Sequence, residues 1–345
     1  MDALVIGPIR LPGRAILAPM SGVSDWPFRR LAARFGAPLV VSEMVASDRL
    51  VAREAEAQLK VEGRGLNVHA VQLAGCREND LKEAAQIAEG AGAHLIDINM
   101  GCPAKRVVGG WAGSALMRDL DHAAQLIGAV VSAVSVPVTV KMRLGFDTTQ
   151  RNAPELARRA EAEGARLVTV HGRTRCQRYK GRADWPAIKA VKEAVSIPVV
   201  ANGDCQDVGD ARAMLTQSGA DAVMIGRAAL GAPWLPATIA AGLEGAPGPQ
   251  APQTAAALGD LAVEHQEWLC EAAGATRGLR LSRKHTAAYM AHFTIPDGLR
   301  KAALTADDPA KARQALRAAF DAATPFSPSL SSSAGSPRAQ AAVAA

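Results

Sequence analysis

The chain has 345 residues, 49% of them hydrophobic and 21% charged, with a formal net charge of +6. That apolar content excludes disorder as the main state, and 31 Gly with 20 Pro exclude a collagen-like repeat. Five scattered cysteines (Cys76, Cys102, Cys176, Cys205 and Cys270) form no CxxC pair, which excludes a disulfide scaffold or zinc site and fits reduced thiols in a cytoplasm. No apolar run reaches the ~18 residues of a membrane-spanning helix, and the N-terminal MDALVIGPIRLPGR lacks a secretory pattern.

In chain order, eight short apolar, β-branched runs recur: AILAP (15–19), PLVVSE (38–43), VHAVQL (68–73), HLIDIN (94–99), PVTVKM (137–142), RLVTVH (166–171), PVVANG (198–203) and DAVMIG (221–226). A helix-like stretch follows each. Asn79-Asp80 precedes LKEAAQIAEGAG, and Asp119 precedes LDHAAQLIGAVVSAV, both with apolar residues at helical spacing. Continuous apolar runs alternating with helices read as parallel strands buried on both faces. Eight such units predict a closed (β/α)8 TIM barrel. A doubly wound sheet is the competitor, but APMSGVSDWPF after the first run contains no GxGxxG. GLEGAPGPQAPQT (242–254) reads as a linker, and helical segments without a strand signal follow to about residue 323. The expected division is a barrel domain over 1–242, a small C-terminal helical domain over 243–323 and a low-complexity, disordered tail over 324–345.

Chemistry in such a barrel sits at the C-terminal ends of the strands. The residues there are Pro19-Met20-Ser21, Glu43-Met44, Gln72, Asn99-Met100-Gly101-Cys102-Pro103, Lys141-Met142-Arg143, His171-Gly172-Arg173, Asn202-Gly203-Asp204 and Gly226-Arg227. The last two groups suit a phosphate, because glycines permit close backbone approach and Arg227 supplies a donor; a single glycine would read as a tight turn. Lys141 ends an apolar strand, and a lysine in a barrel mouth calls for an anion or solvent. Cys102 lies on a turn fixed by Gly101 and Pro103, where a thiol can act as acid or nucleophile; Cys76 and Cys205 also follow strands, so position alone does not select it.

Basic residues cluster twice. HGRTRCQRYKGRA (171–183) contains Arg173, Arg175, Arg178, Lys180 and Arg182 and no acid. In RGLRLSRKH, Arg277, Arg280 and Lys284 share one helix face with Arg283 beside them, and no acid occurs between Glu271 and Asp297. A charge run is usually a solvated face. Two acid-free clusters, one at the barrel mouth and one on the appended helices, fit a polyanion spanning both.

Taken together, APMSGVSDWPFR (18–29), DINMGCPAKRVVGGWAGSALM (97–117), VHGRTRCQRYKGRADW (170–185), DAVMIGRAALGAPW (221–234) and RLSRKH (280–285) resemble the bacterial tRNA-dihydrouridine synthases, and their B-type branch in particular. The resemblance implies an enzyme that binds flavin mononucleotide (FMN) in the barrel, takes reducing equivalents from diffusible NADPH, and holds tRNA with help from the helical domain. It implies that Pro19, Met20, Ser21, Gln72, Lys141 and His171 meet the flavin, and that Asn202, Gly203, Asp204, Gly226 and Arg227 hold its phosphate. It further implies that Cys102 is the proton donor and that Asn99 meets the target uracil. Arg143, Arg173, Arg175, Arg280, Arg283, Lys284 and His285 are the expected tRNA contacts. No metal, no membrane and a monomeric state complete the expectation. Ser21 stands where relatives often have alanine, and the tail has no family counterpart. A small-molecule flavin oxidoreductase is the rival reading, and it leaves the basic helical domain unexplained. An idle RNA-binding protein is the second rival, and Cys102, Lys141 and His171 argue against it.

Overall fold

The computed structural model describes residues 3–325. Eight parallel strands close a barrel: β1 (Ala15–Leu17), β2 (Leu39–Ala46), β3 (His69–Ala74), β4 (Leu95–Met100), β5 (Val138–Arg143), β6 (Val168–His171), β7 (Val199–Asn202) and β8 (Ala222–Ile225). Each overlaps one of the eight apolar runs. β8 pairs with β1 through Val223 and Ala15, so the sheet has no open edge. Side chains alternate along each strand. On β4, Ile96 and Ile98 pack outward against the helices, while Leu95 belongs to the inner core. That inner core also takes Leu4, Ile6 and Leu11 from an N-terminal hairpin, Val5–Ile6 with Ile9–Arg10, which the sequence reading did not anticipate.

The outer layer includes α1 (Trp26–Arg34), α2 (Glu78–Gly90), α3 (Leu120–Ala133), α4 (Ala153–Ala162), α5 (Val208–Ser218) and α6 (Leu235–Leu243). Asp119 caps α3 by accepting from the His122 N–H at 3.0 Å, as its position predicted; such a cap stabilises a helix by about 1 kcal/mol. α2 begins at Glu78, just ahead of the expected Asn79-Asp80 start. Between β6 and β7 only two short turns form, Pro186–Ile188 and Lys189–Lys192, because the basic loop takes up the length a full helix would need.

Beyond α6 lie α7 (Ala255–Ala273), α8 (Ala275–Met290), α9 (Asp297–Thr305) and α10 (Pro309–Asp321). The region is not purely helical, since Phe293–Thr294 pairs with Thr324–Pro325. The expected boundary at residue 323 therefore moves, and the rest of the expected disordered tail, 326–345, lies outside the described residues. The helical unit does not hang free of the barrel. Its core of Leu258, Leu261, Leu316 and Phe320 includes Leu31 of α1. Arg34 of α1 donates to both carboxylate oxygens of Glu264 at 2.7 and 2.8 Å. Among the described residues, no helix is long and apolar enough to cross a membrane.

Candidate active site

A cavity of ≈ 660 Å³ opens at the C-terminal ends of the strands. It gathers Pro19, Met20, Ser21, Gln72, Asn99, Cys102, Lys141, Arg143, His171, Arg173, Asn202, Gly203, Asp204, Gly226 and Arg227 from the barrel, with Lys284 reaching in from α8. Arg175, Arg280, Arg283 and His285 do not line it.

The inner face of the barrel holds a directed chain of hydrogen bonds. Asp97 accepts from the Thr139 hydroxyl at 2.6 Å and from Gln72 Nε2 at 2.7 Å. Gln72 Oε1 then accepts from Asn99 Nδ2 at 2.8 Å, and Asn99 Oδ1 accepts from the backbone N–H groups of Gly101 and Cys102 at 3.2 and 2.9 Å. An ionised carboxylate only accepts and a backbone N–H only donates, so the two amides between them have one consistent orientation. The chain fixes the turn that presents Cys102. Burial pushes the Asp97 carboxyl up to about 6, against the hydrogen bonds from Gln72 and Thr139. Asp97 and Thr139 escaped the sequence reading, although each stands two residues before a recognised site residue on the same face of its strand.

Positive charge surrounds this wall. Lys141 donates to Asn202 Oδ1 at 3.0 Å, and Asn202 in turn donates to the Met224 carbonyl at 2.8 Å. Burial, then the nearby Arg143, bring Lys141 down to about 8. Burial pushes His171 well below its ordinary value, and Arg143, Lys141, Arg173 and Arg227 push in the same direction. Its Nε2 faces Arg173 Nη1 at 3.2 Å, so Nε2 is the acceptor and Nδ1 carries the proton of a neutral ring.

The three cysteines that follow strands separate clearly. Cys205 also borders the cavity, but it is buried, and burial pushes its thiol up to about 12. The Cys76 thiol is hydrogen-bonded to the Gly110 carbonyl at 3.1 Å and lies outside the cavity. Cys102 is half-buried and lines the cavity.

Several expected roles change. Arg143 is buried, and its guanidinium donates to the carbonyls of Gly101, Thr174 and Arg178 at 2.7, 3.0 and 2.8 Å. It therefore ties the Cys102 turn to the basic loop and has little reach left for a substrate. Arg173 is buried and pairs with Asp204. The Asp204 carboxylate also accepts from the Ala183 N–H at 2.8 Å and faces Arg227 at 3.5 Å, so it orients cations and does not itself face an anion. His285 is 1% exposed. Its Nε2 meets Asp25 at 3.1 Å, His265 lies 3.9 Å from the same carboxylate, and the Phe28 ring stacks at 5.2 Å. It cannot touch a substrate directly; it pins α8 to the start of α1, which Asp25 caps through the Phe28 N–H at 2.9 Å. Asp25, His265 and His285 hold their donor atoms within 4.8 Å of one another, the one group among the described residues so spaced for a metal ion. The expectation of no metal made no allowance for it.

The two glycines expected to admit a phosphate differ. At Gly203, φ is +122° and a Cβ would lie 2.8 Å from Ala183 and 2.9 Å from the His171 ring, so the fold itself requires glycine there. Gly226 has φ −103° and ψ −117°, and a Cβ would meet nothing closer than the Met20 sulfur at 3.9 Å. The backbone favours glycine at 226, because its ψ of −117° falls between the regions open to other residues, whereas packing does not demand it. Open space beside it, next to Arg227 and the cavity, fits an anionic group that comes close to the main chain. The FMN implied by the sequence resemblance has that chemistry, and the buried Lys141 charge suits the same ligand.

Residues 16–324 match a family model described as dihydrouridine synthase (Dus). A protein of Rhizobium leguminosarum bv. phaseoli named "Probable tRNA-dihydrouridine synthase" is 52% identical over 311 residues, covering 90% of this chain and 96% of that one. The "tRNA-dihydrouridine synthase B" of Pectobacterium carotovorum is 42% identical over 317 residues, covering 92% of this chain and 98% of that one. Among solved structures, a variant of morphinone reductase in complex with tetrahydroNAD superposes with a TM-score of 0.51 at 16% identity, covering 72% of this chain and 92% of that one. This last likeness concerns the barrel fold alone.

Proposed function

Because this chain belongs to the dihydrouridine synthase family, we propose that it reduces a D-loop uridine of tRNA to 5,6-dihydrouridine with Cys102 as proton donor and FMN held in the cavity. The observation that carries the reading is that Cys102, half-buried, lines the same cavity as Lys141, His171, Asn202 and Arg227, whereas Cys205 on the same wall is buried with its thiol pushed up to about 12, and Cys76 lies outside the cavity. FMN, once reduced by NADPH, supplies the hydride for uracil C6.

The residues of the chain do the rest. Arg227 and the open backbone at Gly226 hold the cofactor phosphate. Lys141 keeps a positive charge where negative charge gathers during reduction. The Cys102 thiol gives its proton to uracil C5, and the chain from Asp97 through Gln72 and Asn99 keeps its turn in place. A thiol suits this work because its ordinary pKa leaves it protonated at neutral pH. The uridine must leave the tRNA fold to enter the cavity, at a cost of a few kcal/mol that is smaller for a base in a loop. Phosphate contacts from Lys284, Arg280 and Arg283 offset that cost. We read the enzyme as a cytoplasmic monomer that needs no metal.

The test is dihydrouridine formation. The purified protein is incubated with NADPH and with tRNA that lacks dihydrouridine but carries its other modifications, and nuclease fragments are weighed by mass spectrometry. A gain of two hydrogens at a D-loop uridine supports the reading. A yellow protein that bleaches with NADPH but leaves tRNA unchanged overturns it in favour of a small-molecule flavin enzyme.

A further inference from the structure

Among the described residues, the large apolar side chains that stand exposed are Val5 at 38%, Trp111 at 60% and Tyr179 at 56%. Val5 lies on the hairpin packed into the inner barrel core with Leu4 and Leu11. The two aromatics lie at the other end. Tyr179 lines the cavity, and Trp111 sits on the loop that returns to the Cys102 turn. Two residues on from Trp111, Gly113 packs so close to Cys102 that a Cβ would be 2.9 Å from its carbonyl oxygen.

Trp111 is held out at a cost. Its φ is +59°, a region that bulky residues rarely occupy. Its ring is backed by the Arg118 guanidinium at 5.5 Å. Arg118 also lies over the Phe146 ring at 5.1 Å, and Arg175 lies over the same ring at 5.0 Å. The result is an alternating row, Trp111–Arg118–Phe146–Arg175, that runs across three successive strand-end loops. No acidic residue occurs from Met100 to Arg118, and Asp147 is the carboxylate beside the row. A cation-backed indole in an acid-free loop is a good platform for a nucleobase, since every base has a π-face and its phosphates favour the surrounding charge.

We propose that Trp111 is a base-stacking platform on which an unpaired nucleobase of the tRNA, close to the uridine that enters the cavity, is held, with Arg118, Phe146 and Arg175 keeping the ring in place. The proposal rests on the tRNA reading above and adds a subsite to it. It also gives Arg175 a role, since that residue does not reach the cavity.

The test uses the full-length holoenzyme, tRNA lacking dihydrouridine, and a salt series. Trp111→Leu keeps bulk but removes the π-face, and Trp111→Phe keeps a smaller π-face. Loss of one stacked base weakens binding by about tenfold or more. Trp111→Leu is therefore expected to bind tRNA about tenfold more weakly at every salt concentration, with an unchanged slope of log affinity against log salt. Trp111→Phe should recover most of the loss, and NADPH should bleach the flavin of both variants at the parent rate. Binding by Trp111→Leu equal to the parent overturns the platform while the parent's dihydrouridine formation upholds the tRNA reading. A shallower salt slope in that variant also overturns it, because phosphate contacts and not stacking would then have been lost. A parent enzyme that neither binds nor modifies tRNA removes both readings together.

Discussion

Asp97 shows how much one buried carboxylate can settle. It is an acceptor at one end of a line of amides, and the backbone N–H groups of Gly101 and Cys102 are donors at the other. The site gives up stability for this order. The carboxyl sits at about 6 in the fold against an ordinary 3.8, so the folded chain holds its proton more tightly than the unfolded one. Stability from this group is therefore greatest below pH 4 and falls as pH rises to 6. Asp97→Asn can accept from Gln72 and donate to Thr139, which keeps the amide line intact. We expect that variant to gain up to about 3 kcal/mol over the parent above pH 6, with the gain vanishing by pH 4, as read from urea unfolding at each pH. Equal pH dependence in the two proteins would show that Asp97 is not strained by burial. At the other end of the line, Cys102→Ala should abolish dihydrouridine formation while NADPH still bleaches the flavin at the parent rate, followed by stopped-flow absorbance. Retained dihydrouridine formation would remove the proton-donor role.

At the scale of elements, the glycines after β7 and β8 differ in what surrounds them. Gly203→Ala forces a side chain into Ala183 and His171 at a backbone angle that disfavours it, and should cost about 2 kcal/mol or more in thermal or urea unfolding. Gly226→Ala meets open space but an unfavourable ψ, and should cost about 1 kcal/mol in the flavin-free protein and also weaken FMN binding measured by fluorescence quenching. Unchanged FMN affinity would show that nothing approaches the main chain there. The same contrast marks what the sequence could tell. The strands were legible because each carries a run of β-branched residues, and α3 because Asp119 caps it. The layer inside the barrel was less so. In HLIDIN, Asp97 and Asn99 alternate with Ile96 and Ile98, and these two polar residues beside Leu95, Ile96 and Ile98 still read as part of one buried run. The RKH motif misled for the opposite reason. Three neighbours in sequence point about 100° apart on a helix, so Arg283 meets solvent, Lys284 reaches the cavity and His285 turns inward to Asp25.

Over the whole molecule, charge and closure are separate matters. Arg280 and Arg283 are exposed on α8, outside the cavity. Reversing both to Glu should weaken tRNA binding most at low salt and reduce the slope of log affinity against log salt by about 2, with flavin bleaching by NADPH unaffected. An unchanged slope would mean that α8 meets no phosphates. α1 has a different place in the design. Leu31 packs into the helical unit, Arg34 grips Glu264, and Asp25 at its start holds His285, while the loop that precedes it supplies Pro19, Met20 and Ser21 to the cavity. One short helix thus belongs to two units at once, and Lys284 crosses back from the second unit to the mouth of the first. Chimeras that trade tRNA preference between relatives should therefore not be joined at the 244–254 connection alone. A transplanted C-terminal helical unit has to bring its own partner α1 with it, or the recipient barrel receives a grip that does not fit its wall.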